Sequence, residues 1–325
     1  MRAAIYEANG PANEVLRLAE LDTPEPGLGE VRVELAASGV NPSDVKSREG
    51  RTRKIAFPRV IPHSDGAGVI DKVGMGVPAS RIGERVWVWN AQWKRPFGTA
   101  AEYVVLPSPL AVRLPDHVSF EQGACLGIPA MTAAHAVAVA GADSASTLLI
   151  SGGAGGVAHY AIQFAKARGA VVITTVSSEE KAALARQAGA DHVINYKRED
   201  VGAVVMDLTD GAGVDAVLEV DLAANAQLYP GVLHPRSQVV VYGTGMAQAT
   251  VPAQFLLVNQ IAMKWIFVYE LTPQERAGAI SEIMKMMEER RLIHNVALTL
   301  PLSKIIEAHE VVEQGKAMGN VVVTI

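Results

Sequence analysis

Apolar and polar residues alternate over short segments in the first third of the chain. The alternation has a period of two at residues 31–35, and residues 69–73 and 85–89 are further β-rich runs. Glycine and proline separate these runs at short intervals. Closely spaced strands of this kind predict a compact antiparallel β-barrel or sandwich.

From about residue 142 onward, apolar strands alternate with helices. Strands are predicted at residues 147–150, 171–176, 193–194, 214–218 and 238–242, with helices that include residues 157–168 and 179–188. Strands that are apolar throughout are buried on both faces, which indicates a parallel sheet covered by helices.

Two later segments complete the pattern. A helix is predicted at residues 273–290, and its apolar face is formed by Ile280, Ile283, Met284 and Met287. A strand at residues 320–325 is expected to rejoin the first domain. The predicted fold class is α/β in two domains. Residues 1–122 and 271–325 form a β-rich domain, and residues 123–270 form a doubly wound parallel-sheet domain.

Composition narrows the function and the compartment. The 325 residues carry 29 basic and 34 acidic side chains, and the net charge of −5 excludes a broad basic surface for nucleic acid. The single cysteine, Cys125, excludes an intrachain disulfide and agrees with a reducing compartment. Residues 1–7 lack the apolar core of a signal peptide, and the uncharged stretch 123–142 is too weakly apolar to span a membrane. We expect a cytoplasmic protein without a membrane or nucleic-acid partner.

A glycine-rich turn follows the first strand of the second domain. It fits the pattern GxGxxA and consists of Gly153, Ala154, Gly155, Gly156, Val157 and Ala158. Glycines in such a turn let the backbone approach a pyrophosphate, which the N-terminus of the following helix stabilises. Because a strand precedes the turn and a helix and a second strand follow it, we predict a dinucleotide site rather than an ordinary βα turn.

The end of the second strand indicates which dinucleotide binds. NAD sites carry Asp or Glu there for the ribose 2′-hydroxyl, whereas NADP sites are neutral or basic. The strand ends at Ser177, with Lys181 one helical turn later and Tyr196 after the third strand. These residues predict NADPH, although Glu179 and Glu180 follow closely. Alternatively, Ser177 caps the next helix and Glu180 completes a capping box, which would still let the hydroxyl bind a phosphate.

Segments spread along the whole chain carry a resemblance to one family. They are GVNPSD at 39–44, PHSDGAGVI at 62–70, GERV at 83–86, GTAAEY at 98–103, QGACLGIP at 122–129, the glycine turn, and residues 308–310 and 319–321. The chain resembles the zinc-free quinone oxidoreductases, the ζ-crystallin-like family of the medium-chain dehydrogenase/reductase superfamily. The resemblance implies a GroES-like catalytic domain, a Rossmann domain and NADPH as cofactor.

The metal positions of the zinc alcohol dehydrogenases in this superfamily are altered here. They correspond to Asn41, Ser64 and Ile128, none of which completes a zinc site. His63 lies one position away, and without a second ligand we interpret it as a hydrogen-bonding or packing residue. The predicted chemistry is therefore hydride addition to a quinone or an α,β-unsaturated carbonyl, where negative charge spreads over a conjugated system without a metal.

The resemblance places Asn41 and Asp44 beside the nicotinamide. Asn41 would donate a hydrogen bond to the substrate oxygen, and Asp44 would orient that oxygen or the ribose. The alternative is that the pair only braces the loop next to Pro42. The family usually has a tyrosine where this chain has Lys46, which either replaces the hydroxyl as a donor or points to solvent.

Three tryptophans fall within residues 87–93. Trp87 and Trp89 share one face of their strand, which predicts packing. Trp93 follows in a loop and is the candidate for a substrate-facing aromatic residue. His63 and Gly66 also replace a usual glycine and valine of the family, which weakens the prediction of a quinone as substrate.

The resemblance implies further contacts and an assembly. It assigns additional contacts with the cofactor to Gly243, Phe267, Val268 and Lys316. The assembly is a homodimer in which residues 264–269 of two copies pair edge to edge, since a bare apolar edge strand invites aggregation.

Two other functions remain open beside an NADPH-dependent reductase of quinones or enones. One is an NADPH-binding protein of low turnover with a structural or RNA-binding role, which the acidic balance disfavours. The other is an enoyl-thioester reductase, which needs basic residues for the carrier phosphates. A run of basic residues of this kind is also typical of a solvated loop. The chain contains one, formed by Lys46, Arg48, Arg51, Arg53 and Lys54.

Overall fold

The computed structural model describes residues 1–325. The strands are β1 Arg2–Ile5, β2 Arg17–Glu20, β3 Glu30–Val40, β4 Asp65–Val73, β5 Arg85–Val88, β6 Tyr103–Pro107, β7 Ala111–Arg113, β8 Thr147–Ile150, β9 Val171–Val176, β10 His192–Asn195, β11 Val214–Glu219, β12 Leu233–Val241, β13 Ala262–Trp265, β14 Val296–Pro301 and β15 Asn320–Thr324.

The α-helices are α1 Ala12–Val15, α2 Pro42–Glu49, α3 Phe120–Gly123, α4 Met131–Val139, α5 Gly156–Ala167, α6 Glu179–Gln187, α7 Val201–Leu208, α8 Leu222–Asn225, α9 Ala253–Val258, α10 Pro273–Glu288 and α11 Ile305–Glu313. Short 3₁₀ helices lie at Ala79–Arg81, Ser108–Leu110, Ala226–Gly231, Val268–Glu270 and Leu302–Lys304, and a π-helix spans Leu126–Ala130. None of the helices is both long enough and apolar enough to cross a membrane.

The chain divides into two compact units. Unit 1 comprises residues 1–129 and 294–325, and unit 2 comprises residues 130–293. The second boundary therefore lies after residue 293 rather than at the expected residue 270. The reason is that α10 packs against α4 of unit 2 and buries Ala279, Ile283 and Met287.

The sheet of unit 1 contains both ends of the chain. Its strand order is β14-β15-β3-β4-β5-β7, with β6 also paired to β3, and β1 and β2 form a separate pair. Along β3 the apolar residues Val31, Val33 and Leu35 are buried while Glu34 is exposed, as the period of two predicted. The last strand, β15, pairs antiparallel with β3, so the prediction that the C-terminus rejoins the first domain is confirmed.

The sheet of unit 2 is parallel throughout and has the order β10-β9-β8-β11-β12-β13. If the strands of unit 2 are numbered 1 to 6 along the chain, their order in the sheet is 3-2-1-4-5-6. This is the strand order of a Rossmann domain, so the predicted Rossmann domain is confirmed. The edge strand predicted at residues 264–269 is shifted and shorter. It covers Ala262–Trp265, and a 3₁₀ helix follows at Val268–Glu270. The side chains of Trp265 and Phe267 at this edge are 66% and 53% exposed.

A row of four polar side chains lies buried in unit 1. Ser38 Oγ lies 2.8 Å from Thr99 Oγ1 and 2.8 Å from His63 Nδ1. His63 Nε2 lies 2.9 Å from His309 Nε2, and the two rings stack with their centroids 5.1 Å apart. Burial lowers the pKa of His63 to about 3. Burial, His63 and Arg48 lower the pKa of His309 well below its usual value. Both imidazoles are therefore neutral at neutral pH, and His63 is the hydrogen-bonding residue that the sequence predicted.

The neutral state of His63 makes its contribution to stability depend on pH. Because its pKa is depressed in the folded protein, only the unfolded chain takes up a proton below about pH 6.5, and stability falls as the pH falls. We expect His63→Gln to destabilise the protein at pH 7, by an amount that shrinks by roughly 2 kcal/mol towards about pH 5. Urea unfolding of both proteins across this range measures the difference. Asp44 and Asp65 have raised pKa values, so their contributions to stability change with pH in the opposite direction. Both proteins contain these residues, and their contributions cancel in the difference between the two free energies of unfolding. A difference that does not change with pH would contradict a neutral His63.

Candidate active site

Asn41 and Asp44 lie together where β3 passes into α2. Asn41 is the N-cap of α2 in an extended conformation, and Pro42 occupies the first helical position. The backbone N–H of Asn41 donates to Asp44 Oδ2 at 2.8 Å. Both side chains are buried. The loop brace suggested by the sequence is therefore present, with Asp44 fixing the backbone of Asn41.

A third residue, Asp65, completes the cluster and was missed as a candidate in the sequence. Asn41 Nδ2 donates to Asp65 Oδ2 at 2.7 Å, and the backbone N–H of Ile128 donates to Asp65 Oδ1 at 2.9 Å. Asp65 is fully buried at the start of β4. The sequence does contain a signal for this residue, because Asp65 stands at the start of an apolar strand. A carboxyl group buried there needs hydrogen-bond partners.

Two glycines allow the backbone to come this close. A Cβ on Gly127 would lie 2.1 Å from Asp65 Oδ1, and a Cβ on Gly39 would lie 2.2 Å from the carbonyl oxygen of Ala124. Gly127 belongs to the π-helix, a rare form of helix that is frequent at functional sites. Only glycine at these positions lets Ile128 reach the carboxyl group.

Burial sets the charge of the cluster. It raises the pKa of Asp44 to about 7, against the hydrogen bond from Asn41 and the positive charge of Arg53. Burial also raises the pKa of Asp65 well above its usual value, against the hydrogen bonds from Ile128 and Asn41. The charge of Asp44 raises the pKa of Asp65 further. Asp44 therefore titrates near neutral pH, and the neutral form is favoured at Asp65.

The positions that correspond to zinc ligands carry no donor set for a metal. Asn41 is bonded to Asp65, Ser64 is buried, and Ile128 takes part through its backbone only. His63 is bonded to Ser38 and His309. No group of three or more His, Cys, Asp or Glu side chains is arranged to hold a metal ion.

The three tryptophans differ in their burial. Trp87 and Trp89 are fully buried in the core. Trp93 lines a pocket of about 350 Å³ in unit 1. Lys46 is half-buried on α2 and is not among the residues that line this pocket.

The basic run considered for a thioester carrier does not form one surface. Arg48 is fully buried and donates to Glu313 at 2.9 Å. Arg51 forms an ion pair with Glu49 at 2.7 Å. The run is therefore divided, and these two ion pairs partly neutralise it.

The glycine turn of unit 2 joins β8 to α5. The six residues of the predicted motif, Gly153 to Ala158, lie in this turn and in the first turn of the helix. A Cβ on Gly153 would lie 2.5 Å from Thr174 Oγ1, so the turn packs directly on β9. The structure adds Gly152, whose φ of +74° favours glycine, and Thr175, whose backbone oxygen accepts from Gly153 at 3.0 Å.

Ser177 and Lys181 meet at the end of β9. Lys181 Nζ donates to Ser177 Oγ at 3.1 Å. The helix cap is Ser178, whose hydroxyl accepts from the N–H of Lys181 at 3.3 Å. The alternative in which Ser177 caps the helix is therefore wrong, because the chain begins α6 one residue later.

The two acidic residues after this strand are both engaged elsewhere. Glu179 forms an ion pair with Arg186 at 2.6 Å. A hydrogen bond from Ser178 lowers the pKa of Glu180. Neither carboxylate is hydrogen-bonded to Ser177, so the neutral or basic strand end expected for NADP is retained.

The remaining cofactor candidates are spread over both units. Tyr196 is exposed and lines a pocket of about 620 Å³ together with Gly152 and Thr175. A Cβ on Gly243 would lie 2.2 Å from the carbonyl oxygen of Val220, so a residue with a side chain does not fit at this position. Phe267 is exposed and Val268 is buried in unit 2. Lys316 is exposed after α11 in unit 1.

Comparison with known proteins identifies the family. Residues 27–116 match the alcohol dehydrogenase GroES-like domain, and residues 156–286 match the domain described as zinc-binding dehydrogenase. The quinone oxidoreductase of Rattus norvegicus is 30% identical over 327 residues, which cover 99% of this chain and 97% of the rat protein. The chain belongs to the quinone oxidoreductase family of the medium-chain dehydrogenase/reductase superfamily.

Two further similar proteins extend the comparison. The 2-haloacrylate reductase of a Burkholderia species is 29% identical and covers 99% of this chain and 98% of its own. A mycobacterial protein whose solved structure is complexed with NADPH is 28% identical, with a TM-score of 0.86 over 100% of both chains. The family resemblance and the two-part fold predicted from the sequence are confirmed.

Proposed function

We propose that this protein is an NADPH-dependent oxidoreductase that reduces a quinone or an α,β-unsaturated carbonyl compound without a metal. The observation that carries the proposal is the fixed amide of Asn41, held by Asp44 on its backbone and by Asp65 on its side chain. The names of the similar proteins, quinone oxidoreductase and 2-haloacrylate reductase, support the reaction class.

Asn41 would stabilise the charge that develops on the substrate. When bound, NADPH supplies a hydride. A carbonyl conjugated with the reduced bond gains negative charge on its oxygen, which needs a hydrogen-bond donor. The amide of Asn41 has two N–H hydrogens, and Asp65 accepts one. The other faces Asp44, whose pKa the Asn41 side chain lowers, and in the proposed function the substrate oxygen would replace Asp44 as its acceptor.

The donor set supports a reaction without zinc. Asn41, Ser64 and Ile128 offer no thiolate or imidazole, and His63 is committed to the buried row of polar residues. The matched domain described as zinc-binding dehydrogenase therefore names the wider superfamily, and the residues here do not fit its metal.

The residues of unit 2 fit NADPH. The glycine turn leaves no room for a Cβ at Gly153 and leads into the N-terminus of a helix of twelve residues, which suits a pyrophosphate. Ser177 and Lys181 offer a hydroxyl and an ammonium group for the 2′-phosphate. The similar mycobacterial protein complexed with NADPH supports this choice.

Turnover should depend on Asn41. Asn41→Ala removes one donor to the developing oxyanion, which costs ~2.7–4 kcal/mol where such a donor has been removed in other enzymes. We expect enone turnover to fall about a hundredfold, while the dissociation constant of NADPH hardly changes. The measurement is steady-state kinetics with an enone, together with the isotope effect from NADPH deuterated at the transferred position. Unchanged turnover with a full isotope effect would leave Asn41 with only its bracing role.

Cofactor choice should depend on Lys181. A hydrogen bond to a charged group contributes ~1.5–3 kcal/mol, so we expect Lys181→Ala to weaken NADPH binding by roughly ten- to a hundredfold. NADH lacks the 2′-phosphate and should bind as before. Fluorescence titration with both nucleotides measures this, with Lys285→Ala on α10 as the matched control. Equal weakening of NADPH and NADH would place the phosphate elsewhere.

We further propose a homodimer formed along the free edge of the sheet in unit 2. The edge strand β13 has an unpaired side. Large apolar side chains lie exposed on this strand, directly after it and on the preceding helix, namely Trp265, Phe267, Leu257 and Val258. Pairing of two such edges would bury this surface and satisfy the free backbone groups.

The dimer is tested by adding a charge at this edge. Trp265→Lys should shift the mass measured by light scattering from dimer to monomer at micromolar concentration. Leu28→Lys is the matched control, because Leu28 is 75% exposed but lies in unit 1. A wild-type protein that is monomeric at this concentration would refute the dimer.

A further inference from the structure

The pocket of unit 1 that Trp93 lines has an unusual combination of walls. It has a volume of about 350 Å³. Its aromatic walls are Tyr6, Phe57 and Trp93, and its aliphatic walls include Ile55 and Val60. A pocket of this size and polarity suits a small molecule with a flat apolar part.

The polar part of the same pocket is cationic. Arg53, Lys54 and Lys94 line it, and none of the residues that line it is acidic. In a chain whose net charge is −5, three cations around one concave surface are a local excess. Such an arrangement attracts an anion, and the apolar walls strengthen the attraction by excluding water.

Arg53 is positioned rather than mobile in this pocket. Its guanidinium donates to Gln92 Oε1 and lies over the ring of Trp93, 5.1 Å from the centroid. Gln92 is neutral, so this hydrogen bond orients the guanidinium without cancelling its charge. A planar, oriented guanidinium is the group best suited to bind a carboxylate through two parallel hydrogen bonds.

The pocket adjoins the helix that carries the catalytic candidates. Ser47 of α2 lines it, and Asp44 lies one turn earlier on the same helix. The positive charge of Arg53 lowers the pKa of Asp44 against the larger effect of burial. It also lowers the pKa of the Tyr6 phenol, which burial raises to about 12. Arg53 therefore lines the pocket and also acts electrostatically on the Asn41 cluster.

We propose that Arg53, with Lys54 and Lys94, binds a carboxylate on the acceptor, so that the substrate is a small unsaturated carbonyl acid rather than a neutral quinone. The inference rests on the proposed function, and it adds which acceptors the site prefers. Each turnover adds a hydride from NADPH to one carbon of the C=C bond and a proton from water to the other. The products are the saturated acid and NADP⁺, and the carboxylate takes no part in the chemistry.

The test compares an acid with its own ester. The acid 4-oxopent-2-enoate carries a ketone, a conjugated C=C and a carboxylate. Its methyl ester lacks the charge and is intrinsically the more reactive acceptor, because an ester withdraws electrons more strongly than a carboxylate. We expect wild-type kcat/KM to favour the acid by at least about tenfold. Arg53→Gln should lower kcat/KM for the acid by roughly ten- to a hundredfold, mainly through KM, and lower kcat/KM for the ester much less.

Matched variants separate a specific contact from a general loss of charge. Arg59→Gln removes one positive charge from the same loop, but Arg59 pairs with Glu7 and does not line the pocket. It should leave the preference for the acid intact. Arg53→Lys should keep part of the preference. If Arg53→Gln does not fold, Lys54→Gln at the exposed rim should still lower kcat/KM for the acid severalfold.

The outcomes distinguish this inference from the proposed function. Equal reduction of acid and ester, unaffected by Arg53→Gln, would overturn the carboxylate site and leave the reductase in place. Failure to reduce the acid, the ester and a benzoquinone with NADPH would overturn the reductase itself. A carrier phosphate would be the true anion if crotonyl-coenzyme A were reduced in an Arg53-dependent manner while the acid was not.

Discussion

The candidate active site depends on the burial of one carboxyl group, that of Asp65. A buried carboxyl without partners would cost several kcal/mol, so the surrounding chain has to supply donors. It does so from two distant segments, the side chain of Asn41 and the backbone of Ile128. Asn41 is consequently fixed in one orientation, and a fixed donor stabilises developing charge better than a mobile one. The geometry proposed for catalysis is thus a consequence of satisfying a buried polar group.

The same constraint accounts for the glycines around the cluster and for the polar row behind it. Gly127 and Gly39 are the positions where backbone approaches backbone or carboxyl at distances that no Cβ allows. His63 and His309 are hydrogen-bonded through their Nε2 atoms in the core, and burial keeps them neutral. Thr99 connects the row to the cluster, because its hydroxyl donates to the backbone oxygen of Asp65. The polar groups of unit 1 therefore form one connected network around the start of β4.

In unit 2 the constraint is topological. The chain leaves β8 towards β9 on one side and returns to β11 on the other, so adjacent connections diverge at the carboxyl ends of β8 and β11. A crevice forms at such a switch point, and the pocket of about 620 Å³ lined by Ser151 and Val220 lies there. The helix that starts at Gly156 contributes its N-terminus close to the same strand end. The location of such a crevice follows from strand order, and the proposed choice of NADPH rests on single side chains such as Lys181.

The features that depend on local physics could be predicted from the sequence. The period of two in β3, the strand–helix alternation after residue 142 and the glycine turn after β8 depend on neighbours along the chain, and each lies where the sequence predicted it. Even so, a local choice between adjacent serines at the start of α6 was missed by one residue. The contacts between Asn41 and Asp65, between His63 and His309, and between α10 and α4 could not be predicted in this way and are seen only in the folded chain. Their partners are far apart in sequence, and the pKa of each buried group is set by an environment that exists only once the chain has folded.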